Sequence, residues 1–209
     1  MSKTTLYIAN KNYSSWSLRG WLAVRFVGLA FEEVIIRLRK DTTEQEISKI
    51  SASKKVPCLH HEGLIIWDSL AIAEYLNETF PEKKLFPRDK KKRALARSIC
   101  AEMHSSFLNV RSEMPMNMKK RSVKEQTPAV QKEIARILEI WQNCLKEYNG
   151  KYLLGEFSIA DIFYAPIVSR FISYSVDTST VQAYVKNISN HPLYKEWENE
   201  ALKEADISA

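Results

Sequence analysis

The chain has 209 residues, 45% of them hydrophobic and 27% charged, with a formal net charge of +6. That length allows one large domain or two modest ones, each with a core of its own. No stretch nears the roughly 20 apolar residues of a membrane-spanning helix, and no basic segment with an apolar core opens the chain, so a cytoplasmic protein without a membrane partner is expected.

In chain order, Thr5-Leu-Tyr-Ile-Ala9 predicts a strand, and residues 16–27 place Trp16, Leu18, Trp21, Leu22, Val24 and Val27 at helical intervals, closed by Gly28. Residues 31–38 read as a buried strand, which completes a β-α-β unit with parallel strands. A short helix around 43–50 precedes two strands, 57–60 and 63–67, joined by a His-Glu-Gly turn. Asp68 opens a helix through Phe80 with Leu70, Ile72, Ala73 and Leu76 on its apolar face. The order β-α-β-α-β-β-α predicts a four-stranded mixed sheet with helices on both faces, the thioredoxin-like α/β arrangement.

Residues 81–89, rich in proline and charge, read as a linker. Beyond it, helical periods over 90–120, 128–148, 159–175, 180–189 and 193–204 predict an all-α half. The expected organisation is therefore a first domain over 1–80, a linker over 81–89 and a helical domain over 90–209. Within the latter, Ser158-Ile-Ala-Asp161 is a capping box at the head of a helix apolar almost all round.

Cys58, Cys100 and Cys144 are odd in number and far apart, and His60, His61, His104 and His191 add no ligand spacing, so no disulfide framework and no metal are expected. The positive charge invites a nucleic-acid partner. Much of it, however, sits in Lys83-Lys84 and Arg88-Asp-Lys-Lys-Lys-Arg93, beside prolines, where it reads as a solvated connector. No nucleic-acid partner is expected; the same field would steer a small anion.

The residues suited to chemistry stand at the starts of elements. Ser14-Ser-Trp-Ser-Leu-Arg19 brings hydroxyls to the positive end of the first helix. Val56-Pro57 sets an extended residue before a proline, with its backbone available to a peptide. Asp68-Ser69 sets an acid and a hydroxyl at another helix start. Each also has a plain structural use, capping for the serines and for Asp68-Ser69, and an edge-strand proline for Val56-Pro57.

Taken in order, with the Ser158 box and the change of character near residue 85, these motifs make the chain resemble a cytosolic glutathione transferase of the serine type, nearest the zeta class. The resemblance implies an enzyme that takes glutathione as co-substrate, stabilises its thiolate and adds the sulfur to a small electrophile. Glutathione's thiol has a pKa of about 8.5, and lowering it by ~2 units needs about 2.7 kcal/mol, within reach of one hydroxyl hydrogen bond and a helix dipole. Ser15, four residues before Arg19, is the first candidate for that hydroxyl, Ser14 the adjacent alternative and Ser17 the third.

The resemblance further implies a cis bond at Val56-Pro57, whose backbone would pair with the cysteinyl unit, and a γ-glutamyl site in which Asp68 faces the ammonium and Ser69 the carboxylate. Lys40, Gln45, Lys54 and Lys55 are candidates for the glycine carboxylate, and His104, Phe107 and Arg111, three or four residues apart, for the electrophile pocket. It implies a homodimer as well. Two alternatives stand beside conjugation: cis-trans isomerisation through a transient glutathione adduct, as in maleylacetoacetate isomerase, and a non-catalytic interaction module. Trp16 departs from the zeta pattern, which has cysteine there, and weighs against the isomerase.

Overall fold

The computed structural model describes residues 3–38 and 40–205. By its contacts the chain divides into two compact units, Met1–Leu85 with Glu196–Ala209, and Phe86–Lys195.

The first unit is a β-α-β-α-β-β-α array: β1 (Thr5–Ala9), α1 (Ser15–Val27), β2 (Glu32–Ile36), α2 (Thr43–Ser48), β3 (Cys58–His61), β4 (Leu64–Trp67) and α3 (Ser69–Thr79). The sheet order is β2-β1-β3-β4, with β1 parallel to β2 and antiparallel to β3, and β3 antiparallel to β4. This is the mixed sheet that the hydrophobic periods predict. Leu6 and Ile8 on β1 and Leu59 on β3 are fully buried, beneath Leu18, Leu22 and Val24 of α1 and Ile72 and Leu76 of α3, two helices that pack on each other. Gly28 closes α1 in the left-handed region at φ 73°, its N–H on the Arg25 carbonyl, a conformation that glycine adopts without a side-chain clash.

The second unit holds α4 (Lys90–Ser105), α5 (Leu108–Glu113), α6 (Pro128–Tyr148), α7 (Ile159–Ser173), α8 (Gln182–Ser189) and the start of α9 (Pro192–Lys203). The core helix α7 packs against α4 and α8. Its capping box forms: the Asp161 carboxylate accepts from Ser158 N–H at 2.9 Å and from Leu153 N–H at 3.0 Å. Complete burial outweighs those bonds and pushes the Asp161 carboxyl up to about 7.

One expectation is corrected here. The period over 90–120 is broken: Phe107 takes a left-handed conformation at φ 62°, ending α4 and turning the chain into α5. His104, Phe107 and Arg111 therefore do not share one helix face. Instead the Arg111 guanidinium folds back on the end of α4 and donates to the carbonyls of Ser106 at 3.0 Å and of Met103. Those are orphan acceptors of a helix C-terminus, and an arginine satisfies them well.

Candidate active site

The site begins where β1 hands over to α1. The Asn10 carbonyl accepts from Tyr13 N–H at 3.2 Å and Ser14 N–H at 2.9 Å, forming a tight turn, and its side-chain oxygen accepts from Leu38 N–H at 2.8 Å. Ser14 is the N-cap: its Oγ accepts from Ser17 N–H at 3.2 Å and its hydroxyl donates to Ser17 Oγ at 2.8 Å. Ser17, fully buried, also accepts from Ala9 N–H at 2.9 Å, so one oxygen ties the end of the strand to the first turn of the helix. The capping use of the serine pair thus falls to Ser14. Ser15 stands at the first helical position beside the positive end of α1, and Arg19, one turn along the same face, is a fully buried guanidinium over the Trp16 ring at 4.8 Å.

Gly20 joins the parts of the site. A Cβ at this position would lie 2.8 Å from Pro57 Cγ, 2.9 Å from Pro57 Cβ and 3.8 Å from Ile72 Cδ1. Only a glycine lets the middle of α1 rest on Pro57 while α3 packs alongside. Pro57 and Ile72 of α3 therefore both lie against the middle of α1 at Gly20. The Val56–Pro57 bond is cis.

At the third part, Asp68 caps α3, with Oδ1 accepting from Leu70 N–H at 2.8 Å and Ala71 N–H at 3.4 Å. It does so at φ 75° and ψ 133°, a conformation costing about 1–3 kcal/mol for a residue with a side chain. Ser69 follows, 1% exposed, and its Oγ has no hydrogen-bond partner among the described residues. The head of α3 thus sets a strained cap beside a buried hydroxyl that no described residue engages.

The remaining candidates are dispersed. Lys40, Gln45 and Lys55 are exposed between β2 and β3, and Lys54 reaches Glu44 at 3.5 Å on the surface. Cys58, next to Pro57, donates to the Ile50 carbonyl at 3.4 Å, and burial pushes its thiol up, which makes it a packing residue rather than a nucleophile. In the helical unit Phe107 is buried, His104 half-buried, and burial lowers the Arg111 guanidinium. Among the described residues no cluster of His, Cys, Asp and Glu is suited to hold a metal, and no helix is long and apolar enough to cross a membrane. Gly20 is the site residue that sequence reading passes over, while Ser17, the third hydroxyl candidate, is bonded to Ala9 N–H and Ser14. An isolated glycine inside a helical period was the available signal, since such a residue usually answers to close packing.

The models of the glutathione S-transferase N-terminal and C-terminal domains match residues 13–79 and 101–201. Over 181 residues the chain is 35% identical to the maleylacetoacetate isomerase of Rattus norvegicus, covering 85% of this chain and 82% of that one. The chain belongs to the glutathione S-transferase family. Glutathione S-transferase Z1 of Arabidopsis thaliana is 33% identical over 175 residues, covering 78% and 77% of the two chains, and marks this member as zeta-like. Among solved structures, a Burkholderia glutathione transferase homologue with bound glutathione superposes with a TM-score of 0.76 at 23% identity, over 97% of this chain and all of that one. The thioredoxin-like first domain and helical second domain of the family are those described above.

Proposed function

We propose that this transferase binds glutathione across Ser15, Val56-Pro57 and Asp68-Ser69, holds its sulfur as thiolate and adds it to a small soft electrophile. The observation that carries this reading is the buried Ser69 hydroxyl without a partner, one residue after a strained Asp68 cap. A γ-glutamyl carboxylate would accept from Ser69 Oγ–H and the first N–H groups of α3, and Asp68 would face the ammonium. The Val56 backbone would pair with the cysteinyl unit, and Lys40, Gln45, Lys54 or Lys55 would neutralise the glycine carboxylate in solvent. The Ser15 hydroxyl would donate to the sulfur, with Ser14 the alternative. His104 and Phe107 would line the electrophile site, with Arg111 holding the turn that carries them.

Isomerisation is the second reading, favoured by relatives named maleylacetoacetate isomerase at 35% and 34% identity in rat and mouse. There the sulfur adds to one carbon of a cis double bond, the resulting single bond rotates, and elimination returns glutathione and the trans product. Trp16 in place of the zeta cysteine favours conjugation. Supplying a cis-enone diacid with glutathione decides: a stable conjugate supports conjugation, and a trans isomer with glutathione unconsumed supports the isomerase. Failure of the folded protein to bind immobilised glutathione would leave only an interaction module.

The proposed assembly is a cytoplasmic homodimer. Edge strand β4 exposes Leu64, Ile65 and Trp67 at 53%, 51% and 43%, beside an open groove of about 580 Å³ that Leu70 and Ala71 of α3 complete. A second copy would cover that apolar edge. Light scattering of Trp67→Glu, expected to give the monomer mass where the wild type gives twice that, tests it.

A further inference from the structure

Lys11 stands three residues before the α1 cap and is 2% exposed. Its ammonium meets both carboxylate oxygens of Glu33, at 2.6 and 2.8 Å, and the carboxylate of Glu200. It also lies 5.4 Å from the Trp21 ring centroid and 5.3 Å from that of Trp197. Trp21 Nε1–H donates to Glu33 at 2.7 Å, and Trp197 Nε1–H donates to the Lys11 carbonyl at 3.0 Å. One residue past the end of α9, the two oxygens of Glu204 accept from successive backbone amides, Lys11 N–H at 2.7 Å and Asn12 N–H at 3.0 Å.

Lysine is rarely buried, and packing alone would be achieved at lower free-energy cost by apolar side chains of similar volume. What the ionic arrangement adds is direction. Two carboxylates and two indole faces fix where Lys11 sits, and Glu204 fixes how its backbone and that of Asn12 point. Directly after them come Tyr13 and Ser14, whose amides are bound to the Asn10 carbonyl, and then Ser15. The turn that presents the serine pair is thus clamped by its own Asn10 on one side and by a carboxylate nearly two hundred residues away in sequence on the other.

We propose that Glu204 is a positioning residue for thiol activation: through the Lys11 and Asn12 amides it holds the Ser14–Ser15 turn where the Ser15 hydroxyl meets the glutathione sulfur, and Glu200 with Lys11 anchors it there. This rests on the reading of Ser15 given above. Glu204 would bond the turn and not the sulfur, so its loss acts on the ionisation of bound glutathione and on glutathione affinity only through that ionisation. Arg25 supplies the control: its exposed pair with Glu196 at 2.8 Å also secures α9 and its guanidinium lies over the Trp21 ring at 5.4 Å, whereas the Lys11 and Asn12 amides are held by Glu204.

The test compares wild type, Glu204→Ala, Glu204→Gln, Arg25→Gln and Ser15→Ala in the full chain. It follows thiolate absorbance of bound glutathione against pH, and kcat and KM with a chlorodinitrobenzene electrophile. Glu204→Ala is expected to raise the bound thiol pKa by about one unit and lower kcat roughly tenfold, with KM for glutathione at about pH 7 raised by no more than about threefold. Glu204→Gln, which keeps one acceptor and serves if the alanine variant does not fold, is expected to fall between, and Arg25→Gln to match wild type. Amide exchange over residues 10–17 is expected to quicken in the Glu204 variants alone. If Glu204→Ala matches wild type in thiol pKa and kcat while Ser15→Ala moves both, the positioning role is overturned and the Ser15 reading stands. Equal losses in Arg25→Gln overturn it too, by showing that any loosening of α9 suffices. A wild-type enzyme whose bound thiol is no more acidic than the free one removes both.

Discussion

Two arginines of the helical unit and Ser69 of the first unit put buried polar groups to different uses. In the helical unit Arg111 spends its donors on the carbonyls that end α4, and Arg170, fully buried, donates to the Met114 carbonyl at 2.9 Å and the Pro166 carbonyl at 3.1 Å. Each charged head gives its donors to backbone carbonyls, and burial lowers Arg170 to about 9. In the first unit Ser69 completes nothing, and Asp68 caps its helix only by holding a conformation that disfavours a side chain. A buried polar group that finishes the backbone is explained by folding. Ser69, at a helix start beside a strained cap, has no partner among the described residues that folding would explain.

That contrast breaks most visibly at Ser15. Ser15→Ala is expected to lower kcat/KM at neutral pH roughly 100-fold, equivalent to about 2.7 kcal/mol, with a smaller change in Tm than Ser14→Ala gives, because Ser14 and not Ser15 caps the helix. Ser14→Ala should instead cost about 1 kcal/mol of stability through the lost cap, seen in thermal melts. Gly20→Ala comes next. With Pro57 Cγ at 2.8 Å from the new methyl, it is expected to destabilise the first unit by about 2 kcal/mol and to weaken glutathione binding as the loop shifts, measured by denaturant melts and calorimetry.

Much of the first unit was legible from local signals, although β2, read as buried, is an edge strand in which only Ile36 is buried. The β1–α1–β2 pattern, the glycine that closes α1 and the acid that starts α3 are local signals, and each forms as its residue chemistry dictates. The Ser158–Asp161 box is equally local. What escaped is non-local. Nothing near Lys11 announces that Glu33, Glu200 and two tryptophans will enclose it, and nothing in Ser14-Ser15 says which hydroxyl will be spent on the cap. The break at Phe107 was hidden for another reason: the apolar period runs on through it, and the left-handed turn is stabilised by Arg111 returning to α4, a contact that no propensity reports.

Smaller effects sharpen the same contrast. Ser69→Ala is expected to raise the glutathione Kd about tenfold, near 1.4 kcal/mol, while Tm stays level or rises, since the substitution removes a buried hydroxyl that lacks a partner. A capping serine would show the reverse. Arg111→Ala is expected to cost about 1 kcal/mol of stability by freeing the α4 carbonyls, with kcat changed less than about threefold. A large loss of kcat at unchanged stability would move Arg111 from scaffold to substrate.

The most direct measurement is a pH titration of the thiolate absorbance of glutathione bound to wild type and to Ser15→Ala. The wild-type midpoint is expected about 2 units below the free thiol's value near 8.5, and that of the variant back near the free value. A common midpoint for both proteins would contradict the assignment of sulfur activation to Ser15.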